Sequence, residues 1–198
     1  EDLLVLSELE SGAQKLTLKP VEVEQFIHWV LEVFWDRAAK NKISLSHSFP
    51  SGLPFILCDY DRLQQLFINL VDNAVKYTPS GGSVTISAAH AHLGAAQAEP
   101  AVEIIVADTG AGIAEKDLPR LTERFYRVDK ARSRELGGTG LGLAIVRHIV
   151  LAHGGELKIE SAINHGTTVR VLLPAVIVES TPDAIVAKAT SFRRDSVT

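Results

Sequence analysis

Over residues 59–77, Leu63, Leu66, Phe67, Leu70, Val71, Ala74 and Val75 recur at three- and four-residue spacing, which predicts a helix with one apolar face. Asp59 stands where such a helix needs an N-cap. Residues 21–42 repeat the helical period behind a connector at 17–20, with Phe26, Val30, Val33 and Phe34 expected inward. Residues 141–152 are apolar nearly all round, predicting a buried helix stopped by Gly154 and Gly155. Short alternating or continuous apolar runs read as strands at 43–49, 55–57, 84–88, 102–107, 157–161 and 167–173. The first of these is expected to face water on one side. The last two make a hairpin around 164–166, and 176–178 is placed to add a strand edge. A break is expected at 78–82 and a hairpin loop over 89–100. Residues 114–139 are charged, with little apolar period.

Strands of mixed order with helices able to cover one face predict an α/β (α+β) two-layer sandwich. Leu3, Leu6 and Leu9 make a stripe ended by Gly12, so residues 1–14 read as the end of a helix that belongs to a preceding bundle. Residues 15–176 form the folded domain, and 177–198 lack period and read as a disordered tail.

Composition sharpens this picture. With 198 residues, 46% of them hydrophobic, the chain can build one sizeable core. A net charge of −4 supplies no global field to attract nucleic acid. A single cysteine, Cys58, excludes an internal disulfide and fits a reducing compartment. No apolar run reaches the roughly 18 residues of a membrane span. The start at Glu1 and the lack of methionine suggest a piece of a longer protein.

Three stretches carry candidate chemistry. In NLVDNAVKY, Asn69, Asn73 and Lys76 fall at i, i+4 and i+7 and project together from the helix. An amide carbonyl is a hard oxygen ligand for Mg²⁺ and a lysine is a point charge for phosphate, although an ordinary polar face has the same pattern. In DTGAGI, Asp108 ends a buried strand before Gly110 and Gly112. A carboxylate there can accept from the exocyclic amine of a base while the glycines let a ring approach; a turn capped by Asp is the alternative. In GGTGLGL, residues 137–143, glycines run into the apolar helix and expose N–H groups to an anion. The spacing is neither G-x-G-x-x-G nor a Walker A loop, and a plain linker is the alternative.

The order and spacing of these stretches resemble the catalytic ATP-binding domain of sensor histidine kinases, in the superfamily shared with gyrase and heat-shock chaperone ATPases. NLVDNAVKY is similar to its N box, DTGAGI to its G1 box, ERFYRVD (123–129) to its F box and GGTGLGL to its G2 box. The resemblance implies a Bergerat fold, ATP and Mg²⁺ as cofactors, and a lid over 114–139. It assigns Asn73 to the metal, Asn69 and Lys76 to the phosphates, Tyr77 to the adenine face and Asp108 to its amino group. It further implies close approach to the base at Gly110, Gly112 and Ile113, and lid anchors at Phe125 and Arg127. Gly138, Thr139, Gly140, Leu141 and Gly142 would close over the phosphates, and Thr167 would support Asp108.

The implied partners are a dimerisation and phosphoacceptor domain and a response regulator. The parent is expected to be a homodimer, this chain a monomer, and the location cytoplasmic, with an inner-membrane anchor elsewhere in the parent allowed. Hydrolysing members of the superfamily place a glutamate where Asn69 stands, and an amide cannot activate water. That favours phosphoryl transfer over a superfamily ATPase; a non-catalytic ATP-sensing module is the other rival. None of the seven histidines carries the acid-then-basic-Pro context of the family's acceptor, so the acceptor is expected upstream of Glu1.

Overall fold

The computed structural model describes residues 15–94, 99–128 and 139–176. The expectations for 1–14, Gly137 and Gly138, and 177–198 lie outside the described residues. Seven strands, β1 (Lys19–Val21), β2 (Ser44–Ser48), β3 (Phe55–Cys58), β4 (Ser83–Leu93), β5 (Glu99–Asp108), β6 (Glu156–Ser161) and β7 (Thr167–Val176), form one mixed sheet. Its order is β1-β3-β7-β5-β4-β2, and β6 also pairs with β7. Among the described residues three α-helices accompany it: α1 (Val23–Lys40), α2 (Tyr60–Tyr77) and α3 (Gly142–Ala152).

Register puts one face of the sheet inward. Ile86 lies opposite Val106 and Val106 opposite Val169, while Ile104 faces Val171. All are buried with the apolar faces of the helices in a single core. The outer face carries polar ladders, as in Arg170 bonded to Glu160 (3.0 Å) and Glu103 (3.4 Å). On α2 all seven positions of the apolar stripe are buried. At roughly 1.5–3 kcal/mol for each large side chain removed from water, that stripe outweighs any helix propensity.

Asp59 fixes where α2 begins. Its Oδ1 accepts from Arg62 N (3.2 Å) and its Oδ2 from Thr17 N (2.8 Å). Its own N–H donates to Nε2 of the buried His153 (3.0 Å), whose Nδ1–H then donates to Ile149 O (2.7 Å). The end of α3 is thereby fastened to the start of α2.

The structure corrects several expectations. Residues 19–21, expected as connector and helix start, pair with β3 as a strand, because edge pairing offered more than a first helical turn. Val33 is 48% exposed; the buried stripe of α1 runs through Phe26, Ile27, Val30, Leu31 and Phe34. On β2 the expectation holds: buried Ile43 and half-buried Leu45 and Phe49 pack against the core on one side, while Ser44, Ser46 and Ser48 face water on the other. The expected 89–100 loop is mostly ladder, with His90 opposite Val102 and Leu93 opposite Glu99. Leu151 is 55% exposed, so α3 is not buried all round. A 3₁₀ helix at Glu115–Arg120 breaks the stretch expected to be irregular.

Candidate functional site

A cavity of about 400 Å³ opens between α2, the N-terminus of α3 and the ends of β5, β6 and β7. Asn69, Asn73, Lys76 and Tyr77 reach it from α2, one helical face delivering all four. Lys76 Nζ stands 5.6 Å from the Tyr77 ring centre. The Asn69 Nδ2 donates to Gln65 O (2.9 Å), which leaves its Oδ1 as the end nearest Gly142.

Asp108 forms the opposite wall. Strand alternation puts it on the same face of β5 as the core residues Ile104 and Val106, one step beyond the last buried pair. Its Oδ1 accepts from Gly110 N (2.8 Å) and from Thr167 N (3.2 Å). Burial pushes the carboxyl up from its ordinary value, and the two N–H donors pull it part of the way back. No partner holds Oδ2 among the described residues, so the carboxylate keeps acceptor capacity for a ligand. Ser161 braces this corner: its Oγ accepts from Ile113 N (2.9 Å) and donates to Gly166 O (2.7 Å).

Gly112, Ile113, Arg127, Thr139, Gly140, Gly142 and Thr167 also line the cavity. Three predicted residues do not. Gly110 sits behind Asp108, where an added Cβ would lie 2.7 Å from both Asp108 Oδ1 and Tyr77 O. Phe125 is 57% exposed, and its N–H bonds to Gly140 O (2.9 Å), joining the two ends of the segment 126–139. Leu141 is buried in the core at the start of α3. Among the described residues no side chain caps that helix start, beside which Gly142 and Leu143 line the cavity.

Pattern reading missed Asp72, Tyr126 and the apolar floor of Val106, Leu143, Ile159 and Val169. The floor was legible in principle, since the inward face of β6 runs Leu157, Ile159, Ser161 toward the same corner as Asp108. Tyr126 reaches the wall because its hydroxyl donates to Asp117 Oδ1 (2.6 Å) of the 3₁₀ helix. No motif announced that pairing.

An apolar slot with one poised acceptor, opening toward amides, a lysine and an uncapped helix start, defines a site for a planar group joined to an anionic chain. Residues 58–177 match the family described as Histidine kinase-, DNA gyrase B-, and HSP90-like ATPase, and the chain belongs to that family. It has the form of the catalytic ATP-binding domain of sensor histidine kinases. It is 36% identical over 173 residues to the sensor histidine kinase WalK of Bacillus subtilis (strain 168), covering 87% of this chain and 27% of WalK. It is 37% identical over 174 residues to the signal transduction histidine-protein kinase BaeS of Escherichia coli (strain K12), covering 88% of this chain and 36% of BaeS. The structure of full-length ShkA in complex with AMPPNP superposes with a TM-score of 0.76 at 33% identity, covering 89% of this chain and 35% of ShkA. The chain thus spans about a third or less of the WalK and BaeS sequences it matches. No helix among the described residues is long and apolar enough to cross a membrane.

Proposed function

We propose that this chain binds Mg²⁺-ATP and, within its parent protein, presents the γ-phosphoryl to a histidine on a separate dimerisation helix, for relay to a response regulator. The observation that carries this reading is the pairing, across one cavity, of a braced carboxylate with two amides and a lysine. Asp108 would accept from the adenine amino group, Tyr77 would lie against the ring, and Asn69 and Lys76 would hold the phosphates beside the N–H groups of α3. This disposition supports naming the sandwich a Bergerat fold.

The donor set fits a metal bound jointly with phosphate. No group of three or more His, Cys, Asp or Glu side chains among the described residues could hold an ion alone. The Asn73 amide lines the cavity and can contribute one hard oxygen. Mg²⁺ supplies charge screening to the triphosphate when bound. The protein contributes position: Lys76 holds one end of the chain of phosphates and Asp108 the other end of the nucleotide.

Phosphoryl transfer is favoured over hydrolysis because, among the described residues, no carboxylate of the cavity is both near the phosphate side and unpaired, as a base on water would need to be. Its carboxylates among the described residues are Asp108, at the far wall, and Asp72, which is ion-paired to Arg37. None of the seven histidines lines the cavity, so the acceptor is assigned to another segment of the parent. The test supplies labelled ATP, Mg²⁺ and the parent's helical dimerisation domain in trans. Acid-labile label should appear on that domain and on none of the seven histidines; label on this chain, or release of free phosphate only, would overturn the reading.

A further inference from the structure

Asp72 raises a problem for the reading above, on which this inference rests. It lines the cavity between Asn69 and Asn73, four residues before Lys76. An acid and a lysine at i and i+4 on a helix are neighbours and form ion pairs. A pair with Asp72 would take the charge of Lys76 and leave a carboxylate at the place where phosphates must lie.

The structure shows a different pairing. Arg37, near the end of α1, donates from its guanidinium to Asp72 Oδ1. Lys76 makes no ion pair among the described residues, and its ammonium stays over the Tyr77 ring at the cavity. Helices α1 and α2 are packed together, as through Phe26 and Phe67 (ring centres 5.3 Å apart), and Arg37 on α1 lies within reach of Asp72 on α2. A guanidinium is the stronger partner for a carboxylate, because its fork donates in a fixed plane.

We infer that Arg37 is a positioning residue for the phosphate site: by engaging Asp72 it keeps Lys76 free for the triphosphate and screens the Asp72 carboxylate from it. Arg37 does not line the cavity and acts only through Asp72. The pair is partly solvated, with side chains 46% and 37% exposed, so its influence is modest and salt-sensitive. Couplings of that kind change affinity by about two- to fivefold.

The experiment titrates ATP and adenosine, each with Mg²⁺, into wild type, Arg37→Ala, Arg37→Lys, Asp72→Asn and the double variant Arg37→Ala/Asp72→Asn. Arg37→Ala should bind ATP about two- to fivefold more weakly at low salt and adenosine as wild type does. Arg37→Lys should recover most of the ATP affinity. The double variant should match Asp72→Asn, because without the carboxylate there is nothing for Arg37 to withhold. Equal losses of ATP and adenosine would make Arg37 a packing residue and overturn the inference, as would a double variant no better than Arg37→Ala. If wild type binds adenosine but its ATP affinity is indifferent to every change, the inference fails while the adenine site stands. If wild type binds neither, the nucleotide reading itself fails and takes this inference with it.

Discussion

Asp108 can be separated into what it does for the fold and what it does for the ligand. Asp108→Ala removes the acceptor of two N–H groups, Gly110 N at 2.8 Å and Thr167 N at 3.2 Å. Leaving partly buried donors unmet should destabilise the empty protein by about 2–4 kcal/mol. Asp108→Asn keeps an Oδ1 for both donors and removes a charge whose burial is unfavourable. Its empty form should be within about 1 kcal/mol of wild type, or more stable.

Because burial raises the folded-state pKa of Asp108 above the ordinary 3.8, the folded protein binds more protons than the unfolded chain between those two values. Wild-type stability from this group therefore falls as pH rises through that window, and the comparison should shift toward Asn. Denaturant melts from pH 3 upward would measure it. Ligand binding should respond oppositely. An ionised carboxylate pairs with the adenine amine but meets the guanine carbonyl acceptor to acceptor, at a cost of roughly 2–4 kcal/mol. GTP should bind at least about thirtyfold more weakly than ATP, and Asp108→Asn should lose ATP affinity and narrow that gap. If Asn destabilises as much as Ala while leaving the ATP-to-GTP ratio unchanged, Asp108 is a turn cap and the reasoning is wrong.

Other outcomes follow from particular contacts. At Gly142 an added Cβ would lie 3.0 Å from Asn69 Oδ1, a movable side chain, so Gly142→Ala should fold normally, melt no lower than wild type and bind ATP several-fold more weakly. His153 is held neutral by burial, its pKa lowered, while it accepts from Asp59 N. The unfolded chain thus takes up its proton first: stability should drop as pH falls below about 6.5, and His153→Gln should flatten that part of the pH–stability curve. Gly166 has φ +76° with Asp108 O only 1.8 Å from a Cβ position, so Gly166→Ala should cost about 2 kcal/mol or more in a thermal melt.

The sequence was most legible where one element serves two purposes at once. The stripe from Leu63 to Val75 and the row Asn69, Asn73, Lys76 are two faces of one helix, so periodicity located the core side and the site side together. Asp108 was legible because a charge closing a continuous apolar strand conflicts with its surroundings. What escaped was long-range. Val21 is apolar in either a helix or a strand, and only pairing with Ile56 decides between them. Ser161 and Thr167 meet through hydroxyls 3.0 Å apart because β6 and β7 are in register, which neither segment states alone. Arg37 and Asp72 lie on different helices, and their pairing depends on how α1 packs against α2.

Whether the row of amides on α2 binds ATP jointly with Mg²⁺ is decided by calorimetric titration of ATP into wild type and Asn73→Ala, with and without Mg²⁺. Wild type should bind ATP more tightly with the metal than without it. Asn73→Ala, lacking the hard oxygen, should lose at least about tenfold in affinity with Mg²⁺, or ~1.4 kcal/mol, and little without it. An Asn73→Ala protein that keeps both its ATP affinity and its Mg²⁺ dependence would contradict the account.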